Sequence, residues 1–271
     1  MQKVAISAAL ASLAALVATP LSVATAQETV TVPTREQAEA AQEEEAEARE
    51  SSWSVSLNQD NFFGFYPAFN GFIPISENID FSVYGILWTR PSFGLNPDST
   101  GDDLWTEIGV GLNFHFLDGD LTVNPQIGLT NGALLSGGEL DEDGNVEGAN
   151  FADGIVPSLT VNYGGDRFEA QWYSGYYTAL RNRNDDFALD FLHLWANAGY
   201  KINKYVSAGP HYELLQNTRN TGGSAGTTFE WIGAYAQVTL PKGFFTRFTA
   251  GAEIQEGADG DFYKVSVGFS F

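Results

Sequence analysis

Three histidines are the residues of this chain best suited to acid–base chemistry. A hydrolase would pair one of them with a serine nucleophile and orient it with a carboxylate or amide group. They stand in the sequences FHFLD, LHLWA and PHYEL, as His115, His193 and His211. None of these sequences contains a serine that could act as the nucleophile. We therefore expect no catalytic residues and no enzymatic activity.

A second candidate for chemistry is the acidic segment Asp141–Glu147, which reads DEDGNVE. Asp141, Asp143 and Asn145 have the spacing of the first ligands of a calcium loop. The match then fails, because Val146 stands where that loop needs glycine and Ala152 where it needs a bidentate glutamate. We expect a hydrated acidic loop at residues 139–153, without a specific metal site or any cofactor.

Composition excludes several classes of function. The chain has no cysteine, so disulfides, thiolate catalysis, Cys-ligated metals and lipoprotein acylation are excluded. It carries 34 acidic and 13 basic residues, a net charge of -21, which opposes binding to nucleic acid. The counts of 29 Gly, 20 Phe and 11 Tyr in 271 residues favour strands and turns.

The first 26 residues have the pattern of a secretory signal peptide. Lys3 precedes the apolar run Val4–Val17, and Ala24-Thr25-Ala26 forms an A-x-A cleavage site. The alternative is a transmembrane anchor, but no stop-transfer charge follows the apolar run in this sequence. Residues 27–50 follow as an acidic leader, which we expect to be a short helix or disordered. Two positions are open for this leader: it is either a solvated segment in the periplasm or a helix that plugs the lumen of a barrel.

From Ser51 onwards, apolar and polar residues alternate in segments, as side chains do on the two faces of a strand. In Trp105–Phe116, for example, Ile108 and Val110 oppose Glu107 and His115. Only Asp190 and Glu230 depart from this pattern, towards the ends of their segments, where a lipid-facing charge costs little. The polar face is rich in Gly, Ser, Thr, Asn and Gln, which is typical of a lumen rather than of a soluble protein surface.

The segments are joined by short turns and longer polar connections in alternation. The short turns are Ser76–Asp80, Leu117–Asp120, Gly164–Asp166, Lys201–Lys204 and Pro241–Gly243. The longer connections are Arg90–Leu104, Leu134–Ala152, Leu180–Asp186, Gln216–Thr227 and Glu256–Gly260, with a shorter reversal near Asn61–Gly64. This asymmetry predicts an all-β fold, a single 12-stranded antiparallel transmembrane β-barrel over residues 51–271.

Aromatic residues provide a further indication of a membrane barrel, because rings gather at membrane interfaces. Rings beside the short turns predict one girdle: Phe81, Phe116, Tyr163, Phe168, Tyr200, Tyr205 and Phe244. A second girdle is predicted near the longer connections: Trp88, Trp105, Tyr176 and Trp231.

The last segment, DFYKVSVGFSF, is an alternating strand that ends on Phe271. Its apolar residues are Tyr263, Val265, Val267, Phe269 and Phe271. It resembles the C-terminal signal of Gram-negative outer-membrane β-barrel proteins. That resemblance implies an outer-membrane location, cleavage near Ala26, and recognition by the barrel assembly machinery. We expect this strand to close the barrel against Trp53–Gln59.

Two internal sequences, NQDNFFGFYP at 58–67 and YGILW at 84–88, are similar to an uncharacterised family of small, porin-like bacterial barrels. This resemblance implies the architecture and no substrate. The outer-membrane phospholipases also have twelve strands, and they pair a His with a Ser on the lipid face. The histidines here fall on the lumen parity instead, so an enzyme of that type is the third alternative.

The function we expect is therefore a narrow passive channel for small hydrophilic solutes. The alternative is a non-conducting structural or surface-interaction barrel. Outer-membrane lipid and lipopolysaccharide are the other expected partners, and the acidic loop could bridge divalent cations to lipopolysaccharide phosphates. The predicted pore-lining residues are Glu107, His115, Arg167, Glu169, His193, His211, Glu213, Arg247, Glu253 and Lys264.

Overall fold

The computed structural model describes residues 49–88, 105–136, 139–140, 146–148, 150–183, 188–255 and 260–271. The predicted signal peptide, residues 27–48 of the leader, and Asp141, Asp143 and Asn145 lie outside the described residues. Within the described ranges, no helix has the length and apolar character needed to cross a membrane.

Strands dominate the described part of the chain. The fourteen strands are β1 (Ser52–Asp60), β2 (Gly64–Ser76), β3 (Ile79–Trp88), β4 (Trp105–Phe116), β5 (Leu121–Gly132), β6 (Glu139–Leu140), β7 (Val146–Gly148), β8 (Asn150–Gly164), β9 (Phe168–Ala179), β10 (Leu189–Lys201), β11 (Val206–Asn220), β12 (Gly226–Thr239), β13 (Phe244–Glu253) and β14 (Asp261–Ser270). Strands β6 and β7 form a small separate hairpin between β5 and β8.

The other twelve strands form one closed antiparallel barrel, so the predicted fold class and strand number are confirmed. Each strand pairs with its neighbour in sequence, except that β5 pairs with β8 across the β6–β7 hairpin. The barrel closes where β14 pairs with β1, with Leu57 opposite Val267 and Asp60 opposite Lys264. The expected pairing of the last strand with Trp53–Gln59 is therefore also confirmed. Closure removes the unpaired edges that an open sheet would expose.

The predicted alternation is visible in the accessibility of the side chains. On β4, Ile108 is 58% exposed, whereas its neighbour Glu107 is 1% exposed. The same contrast separates Phe248 from Thr249 on β13 and Tyr263 from Phe262 on β14. An outer face of exposed aliphatic and aromatic side chains around a polar and aromatic interior is the arrangement of a transmembrane barrel.

Short turns at one end of the barrel alternate with the longer connections at the other, and we refer to these as the short-turn end and the long-loop end. At the short-turn end, two tight 3₁₀ turns place Asp118 and Lys242 at positive φ, 55° and 69°. At the long-loop end, one connection is shorter than predicted. Because β11 continues to Asn220 and β12 begins at Gly226, only residues 221–225 join these strands, rather than Gln216–Thr227.

The girdle predicted at the long-loop end is wrong for three of its four residues. Trp88 and Trp231 are 5% and 3% exposed, and Trp105 stacks on Trp88 inside the barrel. Only Tyr176 lies exposed on the outer face. The reason is parity: the three tryptophans share the inward face of their strands with polar lumen residues. They form an internal cluster instead of an interfacial one.

Candidate functional site

Two cavities lined by the described residues lie in the interior of the barrel. The polar cavity, of about 750 Å³, reaches the short-turn end, where Gly119, Gly164 and Gly243 are among its lining residues. The aromatic cavity, of about 570 Å³, lies towards the long-loop end, where Leu134 and Ser224 are among its lining residues. Among the described residues, no side chain lines both cavities. The groups that lie between the cavities therefore decide whether they connect.

An ion-pair cluster of Glu213, Lys264, His193 and His211 lies between the cavities. Glu213, from β11, is fully buried, and its Oε2 accepts a hydrogen bond from Lys264 Nζ on β14 at 3.0 Å. The two imidazoles surround the same carboxylate, with His193 Nε2 2.8 Å from Oε1 and His211 Nε2 3.1 Å from Oε2. A buried carboxylate needs this many partners because losing its hydration is costly.

A second carboxylate, Asp60, lies beside this cluster at the end of β1. Its Oδ1 accepts hydrogen bonds from the backbone N–H groups of Phe62 and Phe63, at 2.9 and 2.5 Å. These bonds form the reversal between β1 and β2, since an aspartate can accept from the residues that follow it and fix a turn. Asp60 is fully buried and pairs in register with Lys264. One lysine thus faces two buried carboxylates.

The reversal places Phe63 at the centre of an aromatic cluster. The ring of Phe63 lies 4.7 Å from Trp88 on β3, 5.6 Å from His193 on β10 and 6.1 Å from Phe229 on β12, measured between centroids. Trp231 stacks between Phe229 and Phe262, at 3.9 and 4.7 Å. Because Phe63 reaches strands on both sides of the lumen, its ring bridges the interior between the ion-pair cluster and the aromatic cavity.

A separate carboxylate, Glu107 on β4, is buried on the opposite wall. The hydroxyl of Tyr84 donates to Glu107 Oε1 at 2.6 Å. Gly109 and Gly128 make room for this tyrosine, because a Cβ on either would lie within 2.2 Å of an atom of its side chain. The two glycines therefore serve the close approach of Tyr84 to Glu107 rather than backbone flexibility.

Charged groups in the wall of the polar cavity also bridge strands that are not neighbours. The Arg247 guanidinium on β13 donates to Gln171 on β9 at 2.6 Å. Glu169, also on β9, accepts from Tyr235 on β12 at 2.7 Å and from Ser207 on β11 at 2.8 Å. These contacts cross two to four strand positions. They narrow the lumen with polar groups while leaving a cavity beside them.

The last leader residues contact the inner wall near the short-turn end. Arg49 forms an ion pair with Asp80 on β3, and its NH1 donates to the Glu77 carbonyl at 2.9 Å. His115 Nε2 lies 2.6 Å from the other oxygen of Asp80 and 3.0 Å from the Arg49 guanidinium. Asp80 is almost completely buried. The carboxylate thus links the leader to two strands of the barrel.

The structure brings together some of the residues predicted to line a pore and separates others. His193, His211, Glu213 and Lys264 form one cluster, while Glu169 and Arg247 share the wall of the polar cavity. Glu107 and His115 belong to the opposite side of the barrel. Glu253 accepts from the indole N–H of Trp231 at 2.9 Å, towards the long-loop end.

Arg167 does not occupy the position predicted for it. It is exposed in the turn before β9, because that strand begins at Phe168 rather than at Arg167. Sequence reasoning also missed two buried carboxylates: Asp80, which forms an ion pair with Arg49, and Asp60, which lies opposite Lys264 in the register of β1 and β14. The available signal was the parity of each aspartate, which matches that of the inward-facing serines and asparagines of its strand.

The two acidic exceptions to the alternation have local explanations. Asp190 is buried, and its Oδ1 accepts from Thr178 at 2.9 Å and from the Ala179 N–H at 3.0 Å. Arg183 and Arg219 lie 3.5 and 3.8 Å from its other oxygen. The expected lipid-facing charge is therefore wrong for Asp190, because partners from three elements cover it. Glu230 accepts from the Tyr212 hydroxyl at 2.8 Å, next to it on the sheet.

Among the residues with described positions, no three His, Cys, Asp or Glu side chains are arranged to hold a metal ion. The ionic groups contact one another, amides and hydroxyls instead. The arrangement can bind and order polar solutes in the cavity at the short-turn end. It can also close the lumen between the two cavities.

Comparison with known proteins places the sequence in a family. The sequence profile of the "Family of unknown function (DUF6733)" matches residues 23–271. No curated protein matches the sequence.

Among solved structures, a KdgM porin is 13% identical, with a TM-score of 0.45 over 80% of this chain and 99% of that one. A NanC porin is 10% identical, with a TM-score of 0.47 over 80% of this chain and 98% of that one. The COG4313 outer membrane channel from Pseudomonas putida F1 is 10% identical, with a TM-score of 0.48 over 82% and 95%. At these TM-scores the likenesses support no inference about a solute.

Proposed function

We propose that this chain, which belongs to the family of unknown function (DUF6733), is a porin-like barrel of the Gram-negative outer membrane that passes small hydrophilic solutes. Its exposed outer face carries residues such as Ile108, Ile127, Phe168 and Phe248, which a lipid environment would cover favourably. A closed barrel satisfies the backbone hydrogen bonds that lipid cannot. The two features together support insertion into a membrane.

The polar cavity is the observation that carries this proposal. It extends from the short-turn end between Arg247, Glu169, Asn197 and Lys264, with hydroxyl and amide groups around them. A space of about 750 Å³ with donors and acceptors on its walls suits a small hydrated solute rather than an apolar one. Charges of both signs across a narrow lumen provide a transverse field that orders water and polar solutes.

The ion-pair and aromatic clusters limit this passage. In the described conformation, Glu213, Trp231 and Phe262 are buried, so water does not surround them. Passage from one cavity to the other needs the Phe63 ring to leave its contacts with Trp88 and His193. We infer that the channel has a low conductance and that the Asn61–Gly64 reversal determines how often it opens.

The ion-pair cluster and the aromatic cluster around Phe63 together form a buried layer between the two cavities, and this layer favours a second candidate function. If the contacts around Phe63 and Glu213 do not open, the protein is a non-conducting barrel that acts in membrane structure or at the cell surface. The hydrogen bonds around Glu213 and Asp60 fit such a rigid interior. Conduction separates the two candidates, because only the first requires solute to cross the layer.

Further proposals concern assembly and partners. The outward residues of β14, namely Tyr263, Val265, Val267 and Phe269, are proposed together with Phe271, which directly follows the strand, as the signal for the barrel assembly machinery. The signal peptide is proposed to be cleaved near Ala26, and the acidic loop at residues 139–153 to contact lipopolysaccharide through divalent cations. No enzymatic role is proposed, since the three imidazoles engage carboxylates, an amide and an arginine inside the barrel.

Liposome swelling tests the channel proposal. The mature chain, from Gln27, would be refolded into vesicles and diluted into solutes of increasing size. We expect slow swelling with the smallest neutral solutes and none with larger sugars, because the passage is narrow. The same series with residues Glu28–Glu50 deleted tests the leader. Failure of both proteins to admit any solute would favour the non-conducting barrel.

A further inference from the structure

We propose that the aromatic cavity is a binding site for a neutral, planar ring compound that carries a hydroxyl group. This site is distinct from the polar cavity and lies on the other side of the buried layer. Its occupation does not require conduction, so the proposal goes beyond the channel function and does not depend on it.

The walls of the aromatic cavity favour a flat, apolar ligand. Rings line it from the β1–β2 reversal and from β3, β4, β9 and β10, including Phe63, Trp88, Trp105, Tyr177 and Phe191. Trp88 and Trp105 are stacked within 8° of parallel, and Tyr177 meets Trp105 edge-on. Together they present ring faces and edges held in fixed directions, and a second aromatic ring can pack against such groups.

Charge is what separates this cavity from the polar one. No Asp, Glu, Lys or Arg is found among the described residues that line it, although the chain as a whole is strongly charged. The one ionisable imidazole in this lining, His193, already engages Glu213. A charged ligand would therefore lose hydration there without gaining a free counter-ion, which is costly. The site therefore selects neutral compounds, unlike the polar cavity with its Arg247, Glu169 and Lys264.

Apart from the His193 imidazole on β10 and the Tyr177 hydroxyl on β9, the polar side chains of the aromatic cavity lie on one side. Asn217 and Asn220 on β11, Ser224 on the connection, and Thr227 and Thr228 on β12 line that side. Asn217 Nδ2 donates to two backbone carbonyls, at 3.2 and 2.9 Å, which fixes the orientation of the amide. Its Oδ1 has no donor among the described residues and is covered in this conformation, so a ligand hydroxyl reaches this acceptor only when the amide shifts towards the cavity. A ligand hydroxyl is a donor of the right kind.

The size of the cavity sets the size of the ligand. About 570 Å³ is within the range of small-molecule clefts and would hold a compound of two fused rings. Sugars of that size would bring more hydroxyl groups than one polar side can satisfy. The chemistry thus points to a phenol-like compound rather than to a carbohydrate.

The test is a binding measurement on the full mature chain in lipid nanodiscs, with empty nanodiscs as the blank. The probes are 2-naphthol, 2-methylnaphthalene, naphthalene-2-sulfonate and maltose. The binding of each probe is measured by equilibrium dialysis. Relative to the blank, we expect saturable uptake of 2-naphthol at one site per chain, weaker uptake of 2-methylnaphthalene, and none of the sulfonate or maltose. Uptake of the naphthalenes equal to that of empty nanodiscs, which is partition into lipid only, would overturn the proposal.

Two variants locate the site. Trp105→Ala removes a ring of the cavity and should weaken 2-naphthol binding about tenfold, whereas Trp172→Ala, on the outer face, should leave it unchanged. Asn217→Leu should remove the preference for 2-naphthol over 2-methylnaphthalene. Equal binding by the Trp105 and Trp172 variants would place the probe elsewhere, and this comparison stands even if Asn217→Leu does not fold.

Discussion

Replacing Lys264 with methionine removes the one lysine that the ion-pair cluster contains. Lys264→Met keeps the approximate length of the side chain, so the change is mainly one of charge and hydrogen bonding. Glu213 is fully buried and would keep only the two imidazoles, and Asp60 would lose its cross-strand partner. Breaking a buried pair by removing one partner costs about 3–5 kcal/mol, because an uncompensated charge remains.

The matched variants are Glu213→Gln and the double variant Glu213→Gln/Lys264→Met. Glu213→Gln leaves Lys264 beside Asp60, so we expect it to cost less than Lys264→Met. In the double variant no unpaired charge remains at position 213, and the loss should be smaller than the sum of the two single losses. The expected coupling is about 0.5–3 kcal/mol, the range found for residues within one ionic network.

The assay is urea unfolding of the barrel refolded in lipid vesicles, followed by tryptophan fluorescence. Lys242→Met, in an exposed turn at the short-turn end, is the control and should change the free energy of unfolding by less than about 0.5 kcal/mol. Strict additivity of the two single variants would refute the reasoning, since it would mean that Glu213 and Lys264 do not act as a pair.

Two further predictions test the orientation of the strands and the second buried carboxylate. Val110→Arg places a charge on the outer face near the middle of β4 and should destabilise the folded barrel by about 2–4 kcal/mol, measured by urea titration in vesicles. Thr122→Arg, in the wall of the polar cavity, should be tolerated, and an equal loss in both variants would contradict the assigned faces. Tyr84→Phe deprives Glu107 of a donor and should cost about 1–3 kcal/mol by the same method. A Tyr84→Phe barrel as stable as the parent would mean that this hydrogen bond contributes nothing.

The sequence predicts the fold well because a membrane barrel obeys a strict two-residue period. A charge on the lipid face is costly, so the parity of Glu107 or Lys264 reveals the inward face of its strand. Turn residues such as Leu117–Asp120 then mark the strand ends. Local rules of this kind are sufficient for strand number, order and closure, which the structure confirms.

Contacts across the lumen could not be predicted in the same way. Glu213 and Lys264 lie three strands apart in the barrel. Phe63, which contacts His193, lies in the reversal between β1 and β2, where the alternation of apolar and polar residues along a strand does not apply. Such pairs depend on the diameter of the barrel and the relative heights of the strands, not on neighbouring residues. The sequence therefore indicates which residues point inward without indicating which of them meet.

The three inward tryptophans are an exception to a general rule about aromatic residues. Aromatic residues near strand ends are common at membrane interfaces, and this favoured an outer girdle. Parity contradicts that interpretation, because Trp105 shares its face with Glu107 and Trp231 shares its face with Tyr235. Parity deserved more weight than position along the strand, since a side chain cannot leave its face without a change of register.

The most direct test of the channel account is the single-channel current of Phe63→Ala compared with the parent protein in planar lipid bilayers. Phe63 bridges the lumen, whereas Phe69, on the same hairpin, is exposed on the outer face, so Phe69→Ala is the matched control. We predict small, brief currents for the parent and for Phe69→Ala, and a several-fold larger conductance for Phe63→Ala. An absence of current in all three proteins would contradict the channel function, and a large parent current unchanged by Phe63→Ala would contradict the role of the buried layer.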